Sequence, residues 1–175
     1  AREVCASSAA IARHDASRGS GGRGLAFESA VQKRLGEIEL KDQLEGIEQL
    51  KKLPFVDASR LGLSGWSYGG YMTTWLIGHY DGWRAAMAGA AVIDLVDDYN
   101  LNDLSLFIRA YGETLTFPKD LALMKEQSPG TYVDRMKTPL LLLSNLAEHT
   151  QNLAATPAAS TGANWAASAC ARTES

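Results

Sequence analysis

Hydrophobic and polar positions follow regular periods along the middle of the chain. Between Glu28 and Leu53, apolar residues recur at helical spacing, and Gly36 divides this stretch into two predicted helices. We expect Pro54 to end the second helix, because proline cannot continue one. Ahead of both helices, the glycine-rich residues 18–24 predict a loop.

Further along the chain, short apolar stretches alternate with helical patterns. Strands are predicted at residues 60–65, 84–93 and 140–143, and helices at residues 69–78, 101–111 and 119–127. The last strand consists of four leucines, which is typical of a strand buried on both faces. Because strands alternate with helices, the pattern predicts an α/β fold with a parallel sheet and right-handed crossovers.

The two ends of the chain differ from this middle part. Residues 1–17 are rich in Ala and Ser and show no clear period, and residues 149–175 combine Ala, Ser and Thr with little to bury. We interpret residues 18–148 as one domain. Residues 149–175 are interpreted as a low-complexity tail that is disordered or loosely helical.

Composition and charge argue against several classes of protein. The chain has 175 residues, of which 46% are hydrophobic and 21% charged, as in ordinary soluble globular domains. A formal net charge of −3 without a basic block gives no electrostatic basis for binding nucleic acid or an anionic membrane. No apolar run approaches the length of a membrane span, and the first residues lack the order of a signal peptide. The compartment, cytoplasm or periplasm, and the oligomeric state stay open.

The cysteines and histidines do not predict a metal site. Cys5 and Cys170 lie near opposite ends, and we expect two free thiols rather than a disulfide. His14, His79 and His149 have no ligand spacing with cysteines or carboxylates. This spacing predicts no metal site, and nothing in the sequence implies an organic cofactor.

Candidate chemistry is concentrated around one serine. Gly65-Trp66-Ser67-Tyr68-Gly69 fits Gly-x-Ser-x-Gly, the nucleophile elbow, in which a serine stands on a tight turn between a strand and a helix. The strand predicted before it and the helix predicted after it match that context. The two glycines are expected to remove Cβ atoms that would collide where strand and helix pack closely.

The helix that follows the elbow has a predicted role of its own. Its N-terminus lies beneath the serine, where backbone N–H groups and the positive end of the helix dipole favour a developing oxyanion. The N–H of Tyr68 is the expected oxyanion donor. The alternative interpretation is a glycine-rich turn with an ordinary serine.

A long part of the chain resembles the catalytic domain of the prolyl oligopeptidase family, in particular its dipeptidyl peptidase IV and acylaminoacyl-peptidase branches. The resemblance rests on GWSYGGYMTTW with RGSGGRGLAFESAVQKRLGEIELKDQLEGIEQLKKLPFVDASRLGLS before it, and extends to SPGTYVDRMKTPLLLLSN. It implies an α/β-hydrolase fold with a mostly parallel, doubly wound sheet, here truncated at both ends. It also implies a Ser–Asp–His triad in that chain order and hydrolysis of short peptides, often after proline or a small residue.

The resemblance assigns roles to individual residues. Ser67 matches the nucleophile. Tyr68 matches the residue that supplies the backbone oxyanion donor and one wall of the pocket for the residue before the scissile bond. Val92, Leu95 and Tyr99 fall where the family lines that pocket, and ordinary packing is the alternative role for these three.

The acid and the base of the triad depart from the family pattern. After the strand at residues 140–143, where the family has its aspartate, this chain has Glu148. A glutamate can serve as the triad acid, and an exposed loop glutamate is the alternative. None of His14, His79 and His149 stands where the family has its histidine. Since a serine without a base is a weak nucleophile, we expect the chain alone to be inactive, and interpret it as a partial or frame-disrupted copy of a larger peptidase.

Two groups of acidic residues have simpler interpretations. They are Glu37, Glu39 and Asp42, and Asp94, Asp97 and Asp98. The first group predicts a solvated helix start rather than a catalytic carboxylate pair. The second lacks the spacing of a calcium site and predicts loop capping.

Three functions remain open from the sequence. The first is a serine peptidase acting on peptide substrates, and the second is an esterase or lipase on the same fold. The third is a non-catalytic fragment or pseudoenzyme that binds a peptide or a partner subunit. The extended GWSYGGYM sequence favours the first over the second.

Overall fold

The computed structural model describes residues 17–101 and 115–143, which form a parallel three-stranded sheet with helices. The strands are β1 (Gly62–Trp66), β2 (Ala85–Gly89) and β3 (Leu140–Leu143), in the sheet order β1-β2-β3. Both strand pairs are parallel, with Gly62 opposite Ala85 and Ala86 opposite Leu140. The three predicted strands and their parallel arrangement are confirmed, although β2 is shorter than predicted.

Two α-helices of the described residues precede β1 in the chain, one lies between β1 and β2, and two lie between β2 and β3. The α-helices are α1 (Leu25–Glu28), α2 (Glu37–Leu50), α3 (Tyr68–His79), α4 (Leu95–Leu101) and α5 (Leu121–Glu126). Short 3₁₀ helices lie at Ser29–Val31, Ala58–Arg60 and Pro129–Arg135. Most of the helix predicted over residues 101–111 lies outside the described residues.

Gly36 directly precedes α2, at the predicted break between the two helices. Two physical requirements explain why this position is occupied by glycine. Its φ of 80° lies in the left-handed region that glycine adopts without strain. A Cβ atom at this position would also lie 2.4 Å from the ring of Trp75. The N-terminus of α2 therefore packs directly on α3.

The central helix is α3, which is buried on nearly all sides. It packs against β1 and β2 on one side and against α2 and the Pro129–Arg135 helix on the other. Buried residues occur all round it: Gly70, Tyr71, Thr73, Thr74, Trp75, Leu76, Ile77 and Gly78. A helix covered on all sides is apolar all round, which explains why α3 shows no polar face in the sequence.

Helix α3 contributes to both large groups of buried side chains. The first group contains Val31, Leu35, Ile38, Tyr71, Trp75, Leu95, Leu115 and Met124. The second contains Ile47, Leu76, Ile77, Trp83 and Ala86, and lies between α2, α3 and the sheet. The core is therefore organised around α3.

The four leucines of β3 are not buried on both faces, so that prediction is wrong. Leu141 and Leu143 are 43% and 40% exposed, and Trp66 and Met87 are also exposed. The reason is that side chains alternate along a strand, and the core built from α2 and α3 covers the face to which Leu140 points. Within the described residues, no helix is both long and apolar enough to cross a membrane.

The central position of α3 gives the first prediction. Leu76 is 2% exposed, so Leu76→Ala leaves a cavity and is expected to lower the free energy of unfolding by about 2–5 kcal/mol. Leu25→Ala makes the same chemical change at a helical side chain that is 80% exposed, and is expected to change it by less than about 0.5 kcal/mol. Urea unfolding followed by circular dichroism measures both, and equal losses would contradict the core described above.

Candidate active site

Ser67 lies between the last residue of β1 and the first residue of α3, in the predicted order of strand, serine and helix. Its backbone has φ 57° and ψ −117°, a left-handed conformation that is strained for any residue with a side chain. Such strain costs about 1–3 kcal/mol and persists only where the surrounding structure imposes it. The residue is exposed, and its hydroxyl makes no capping hydrogen bond to α3.

Two backbone hydrogen bonds hold Ser67 in this conformation. Its N–H donates to the carbonyl oxygen of Gly89 at 2.9 Å, which ties the turn to the end of β2. Its own carbonyl accepts from the N–H of Tyr71 at 3.0 Å, which is the first hydrogen bond of α3. The serine is thus fixed to the sheet on one side and to the helix on the other.

Close packing around the turn requires glycine at two positions. A Cβ atom at Gly65 would lie 2.2 Å from the carbonyl oxygen of Gly69, and one at Gly70 would lie 2.5 Å from that of Gly89. At Gly69, in contrast, an added Cβ meets no described atom within 4 Å. The expectation that both motif glycines avoid a collision is therefore right for Gly65 and wrong for Gly69, because the helix approaches the sheet at Gly70.

The end of β2 is shaped to receive the turn. A Cβ atom at Gly89 would lie 2.0 Å from the ring of Trp66, so this ring lies directly over the glycine. Ala90 has φ 44°, and its N–H donates to the carbonyl oxygen of Leu143 at 2.7 Å. The carboxyl ends of all three parallel strands therefore meet beside Ser67, at the edge where α/β sheets bind ligands.

Tyr68, the first residue of α3, is held through its side chain as well as its backbone. Its ring stacks on Tyr71 with the ring centroids 5.3 Å apart. Its hydroxyl donates a hydrogen bond to Oε1 of Glu39, on α2. This contact connects the residue after the serine to a helix that lies far away in the sequence.

Glu39 is buried, with 2% of its surface exposed, so the prediction of a solvated helix start is wrong for this residue. Its Oε2 accepts from the N–H of Gly36 at 3.0 Å, which is the half of a capping box that the third helical residue supplies. Burial raises the pKa of Glu39, and the hydrogen bonds from Tyr68 and Gly36 oppose that shift. Glu37 does behave as predicted, since it is exposed and pairs with Arg34 and Lys41.

The residues expected to line a substrate pocket belong to one group of apolar side chains. Leu95 is buried within the first core group, and Val92, Tyr99 and Tyr68 pack against that group as partly buried residues. All four residues therefore belong to, or pack against, one large apolar group. We call them the candidate pocket.

The acidic residues at the start of α4 act partly as predicted. Oδ1 of Asp94 accepts from the N–H groups of Val96 and Asp97 at 2.7 and 3.2 Å, so it is a capping residue as predicted, but it caps the helix α4, in which Asp97 and Asp98 lie, and not a loop. Asp98 is buried, at 6% exposure. In residues 17–101 and 115–143, no group of three or more His, Cys, Asp or Glu side chains is placed to hold a metal ion.

The candidate acid and two of the three histidines lie outside the described residues: Glu148, His14 and His149. His79 is described and lies at the last residue of α3, whereas Ser67 precedes the first. A helix of 12 residues is about 18 Å long, so His79 is far from the serine. Its Nδ1 lies 2.8 Å from the carbonyl oxygen of Trp75, which confirms the predicted contact with a helix-end carbonyl.

Sequence reasoning missed the link between Glu39 and Tyr68. A signal for half of it was present, because a glutamate three residues after Gly36 is the spacing of a capping box. A second signal was the spacing of the aromatic residues Tyr68, Tyr71 and Trp75, which puts them on one face of α3. Neither pattern indicates which helix packs on that face.

Comparison with known proteins matches residues 10–150 to the model of the prolyl oligopeptidase family. The uncharacterized peptidase YuxL of Bacillus subtilis is 30% identical over 127 residues, which are 72% of this chain and 19% of that protein. Human dipeptidyl peptidase 8 is 47% identical over 77 residues, or 43% of this chain and 9% of that protein. The chain thus spans about a fifth or less of these relatives.

Solved structures show the same arrangement. Acylaminoacyl peptidase of Pyrococcus horikoshii superposes with a TM-score of 0.67 at 32% identity, over 73% of this chain and 21% of that one. An acylaminoacyl peptidase in complex with Z-Gly-Gly-Phe-chloromethyl ketone gives 0.68 at 32% identity, with the same coverage. Dipeptidyl peptidase 4 of Porphyromonas gingivalis gives 0.68 at 28% identity, over 83% of this chain and 20% of that one.

The packing of the turn gives the second prediction. Gly65→Ala places a methyl group against the Gly69 carbonyl, and is expected to lower the free energy of unfolding by about 1–3 kcal/mol. Gly69→Ala is the matched control within the same motif, and is expected to leave stability unchanged or raise it by up to about 1 kcal/mol, because alanine favours a helix. Urea unfolding compares the two variants, and a loss of stability in Gly69→Ala as large as in Gly65→Ala would refute this geometry.

Proposed function

Because the chain belongs to the prolyl oligopeptidase family of serine peptidases, we propose that it supplies the nucleophile of a peptidase, Ser67, within an α/β-hydrolase domain. One observation carries the proposal: Ser67 is exposed and held at φ 57° between the end of β1 and the N-terminus of α3. An ordinary turn serine needs neither the strained backbone nor the helix end beside it.

The proposed reaction is acyl transfer through Ser67. As a histidine base takes the hydroxyl proton, Oγ bonds to the peptide carbonyl carbon and the carbonyl oxygen becomes an oxyanion. The N–H of Tyr68 and the positive end of α3 stabilise that charge. The same histidine then protonates the leaving amine as the C–N bond breaks, and water hydrolyses the acyl-enzyme.

The proposed acid is Glu148, which follows β3 in the chain. β3 ends at Leu143, whose carbonyl accepts from Ala90 at the same sheet edge as Ser67. The chain therefore leaves β3, on its way to Glu148, at the sheet edge where Ser67 lies. A carboxylate in that role orients the histidine and stabilises its charged form.

The proposed substrate is a short peptide, with the residue before the scissile bond in the candidate pocket. Support comes from the apolar lining that Tyr68, Val92, Leu95 and Tyr99 provide, which suits proline or a small apolar side chain. Further support is that an acylaminoacyl peptidase 32% identical to this chain binds a peptide chloromethyl ketone.

A second candidate function is peptide binding without hydrolysis. His79, the one histidine within the described ranges, lies at the opposite end of α3 from Ser67 and its Nδ1 contacts the Trp75 carbonyl. This histidine is therefore not the base. If no other histidine of this chain reaches Ser67, the chain alone binds peptides and cleaves them only together with the remainder of a complete site.

Labelling with a fluorophosphonate tests the nucleophile, and is the third prediction. The peptidase function predicts that the wild-type chain is labelled and that Ser67→Ala loses labelling, because only a base-activated serine reacts with this probe. Ser64→Ala is the matched control, since Ser64 is an exposed serine of β1 without strained backbone, and should be labelled as wild type is. A folded wild-type chain that stays unlabelled would favour the binding function.

An amide and an ester with the same acyl group separate a peptidase from an esterase. For a peptidase we expect hydrolysis of both, and a fall of about 10⁴-fold or more in kcat for Ser67→Ala on each. Hydrolysis of the ester alone would favour the esterase alternative.

A further inference from the structure

Glu39 and Asp98 are the buried charged residues of the described chain, and Glu39 contacts Tyr68, the residue after the serine of the elbow. Its side chain starts on α2, yet its carboxylate accepts from the Tyr68 hydroxyl on Oε1 and from the Gly36 N–H on Oε2. A helix cap needs no burial, because capping carboxylates work in water. Burying a carboxylate is unfavourable unless its oxygens are hydrogen-bonded. Capping of α2 alone therefore does not explain why Glu39 is buried in contact with Tyr68.

The carboxylate is held rigidly from its own side. Gly36 packs on the ring of Trp75, which fixes the start of α2 against α3. One turn further along α2, Asp42 accepts from Nε and Nη2 of Arg18 at 3.0 and 2.5 Å. Glu39 therefore projects from a helix end that is anchored on both sides of it.

The hydrogen bond sets the direction of the Tyr68 ring. The ring stacks on Tyr71 across one face and is tied at its hydroxyl to Glu39, so both its tilt and its tip are constrained. With its hydroxyl turned to Glu39 on α2, the ring packs against the core group that contains Leu95 and against which Val92 and Tyr99 also pack. The polar tip of the tyrosine is thereby kept out of an apolar pocket.

We infer that Glu39 is a positioning residue for substrate selection, which acts through the Tyr68 hydroxyl to hold the Tyr68 ring as one wall of the candidate pocket. The inference rests on the proposed function, because it concerns the pocket beside Ser67. It adds a residue from α2 that touches neither the nucleophile nor the peptide. Its effect is on which residue the pocket accepts and not on the reactivity of the serine.

Two kinds of probe separate this inference from the proposed function. A plain fluorophosphonate has no side chain for the pocket, so its labelling rate reports Ser67 alone. Two aminoalkyl diphenyl phosphonates, one the proline analogue and one the leucine analogue, report the pocket through the ratio of their inactivation rates. The ratio removes any change in the serine that affects both probes equally.

The fourth prediction concerns Glu39→Gln and Tyr68→Phe. We expect each change to lower the proline-to-leucine ratio about tenfold, and we expect labelling of Glu39→Gln by the plain fluorophosphonate to fall by no more than about threefold. Tyr68→Phe removes the donor of this hydrogen bond, and Glu39→Gln leaves one acceptor oxygen for the two donors on Tyr68 and Gly36. Because both changes act on the same contact, the double variant should show no further fall beyond about twofold. Tyr68→Phe also keeps the test available if Glu39→Gln does not fold, since it leaves the hydrogen bond from the Gly36 N–H to Glu39 intact.

Glu37→Gln is the matched control. It makes the same chemical change two residues away in the same helix, at an exposed side chain paired with Arg34 and Lys41. We expect the proline-to-leucine ratio of Glu37→Gln to stay within about twofold of the wild-type ratio. An unchanged ratio in folded Glu39→Gln and Tyr68→Phe, or additive effects in the double variant, would overturn the inference alone. A wild-type chain that no probe labels would overturn the proposed function, and the inference with it.

Discussion

The left-handed backbone of Ser67 is the constraint on which the other features of this region depend. It persists because the Gly89 carbonyl holds the Ser67 N–H and the Tyr71 N–H holds the Ser67 carbonyl. The first of these bonds needs the turn to lie close to the end of β2, and the close packing of helix and sheet leaves no space for a Cβ atom at Gly65 or Gly70. The glycines, the strand ends and the start of α3 are thus consequences of one turn geometry.

Helix α3 connects the turn at Ser67 to the rest of the molecule. Its N-terminus carries the turn, and its buried sides pack on the sheet and on α2. The polar link from Tyr68 to Glu39 adds a directional contact to this apolar packing. Apolar contacts fix how far apart the helices lie, whereas a buried hydrogen bond also fixes rotation, which matters for a residue placed beside a nucleophile.

The described residues hold a part of the proposed active site, and the chain itself spans only a part of its relatives. The chain spans 19–21% of YuxL and of the acylaminoacyl peptidase of Pyrococcus horikoshii. Within the described residues lie the proposed nucleophile, the proposed oxyanion donor and the candidate pocket, and His79 lies at the opposite end of α3 from Ser67. The proposed chemistry at Ser67 therefore depends on an acid and a base that reach the edge where β1, β2 and β3 end.

The sequence by itself determined the order of strands and helices, the elbow and the family, because these follow from local periodicity and from short motifs with fixed spacing. Only the tertiary structure decided that Glu39 is buried, that Leu141 and Leu143 are exposed, and that Gly70 rather than Gly69 avoids a collision. Each of these depends on which element packs on a given face. Sequence spacing defines the faces of a helix or a strand, but the partner of each face is fixed by contacts between residues distant in the chain.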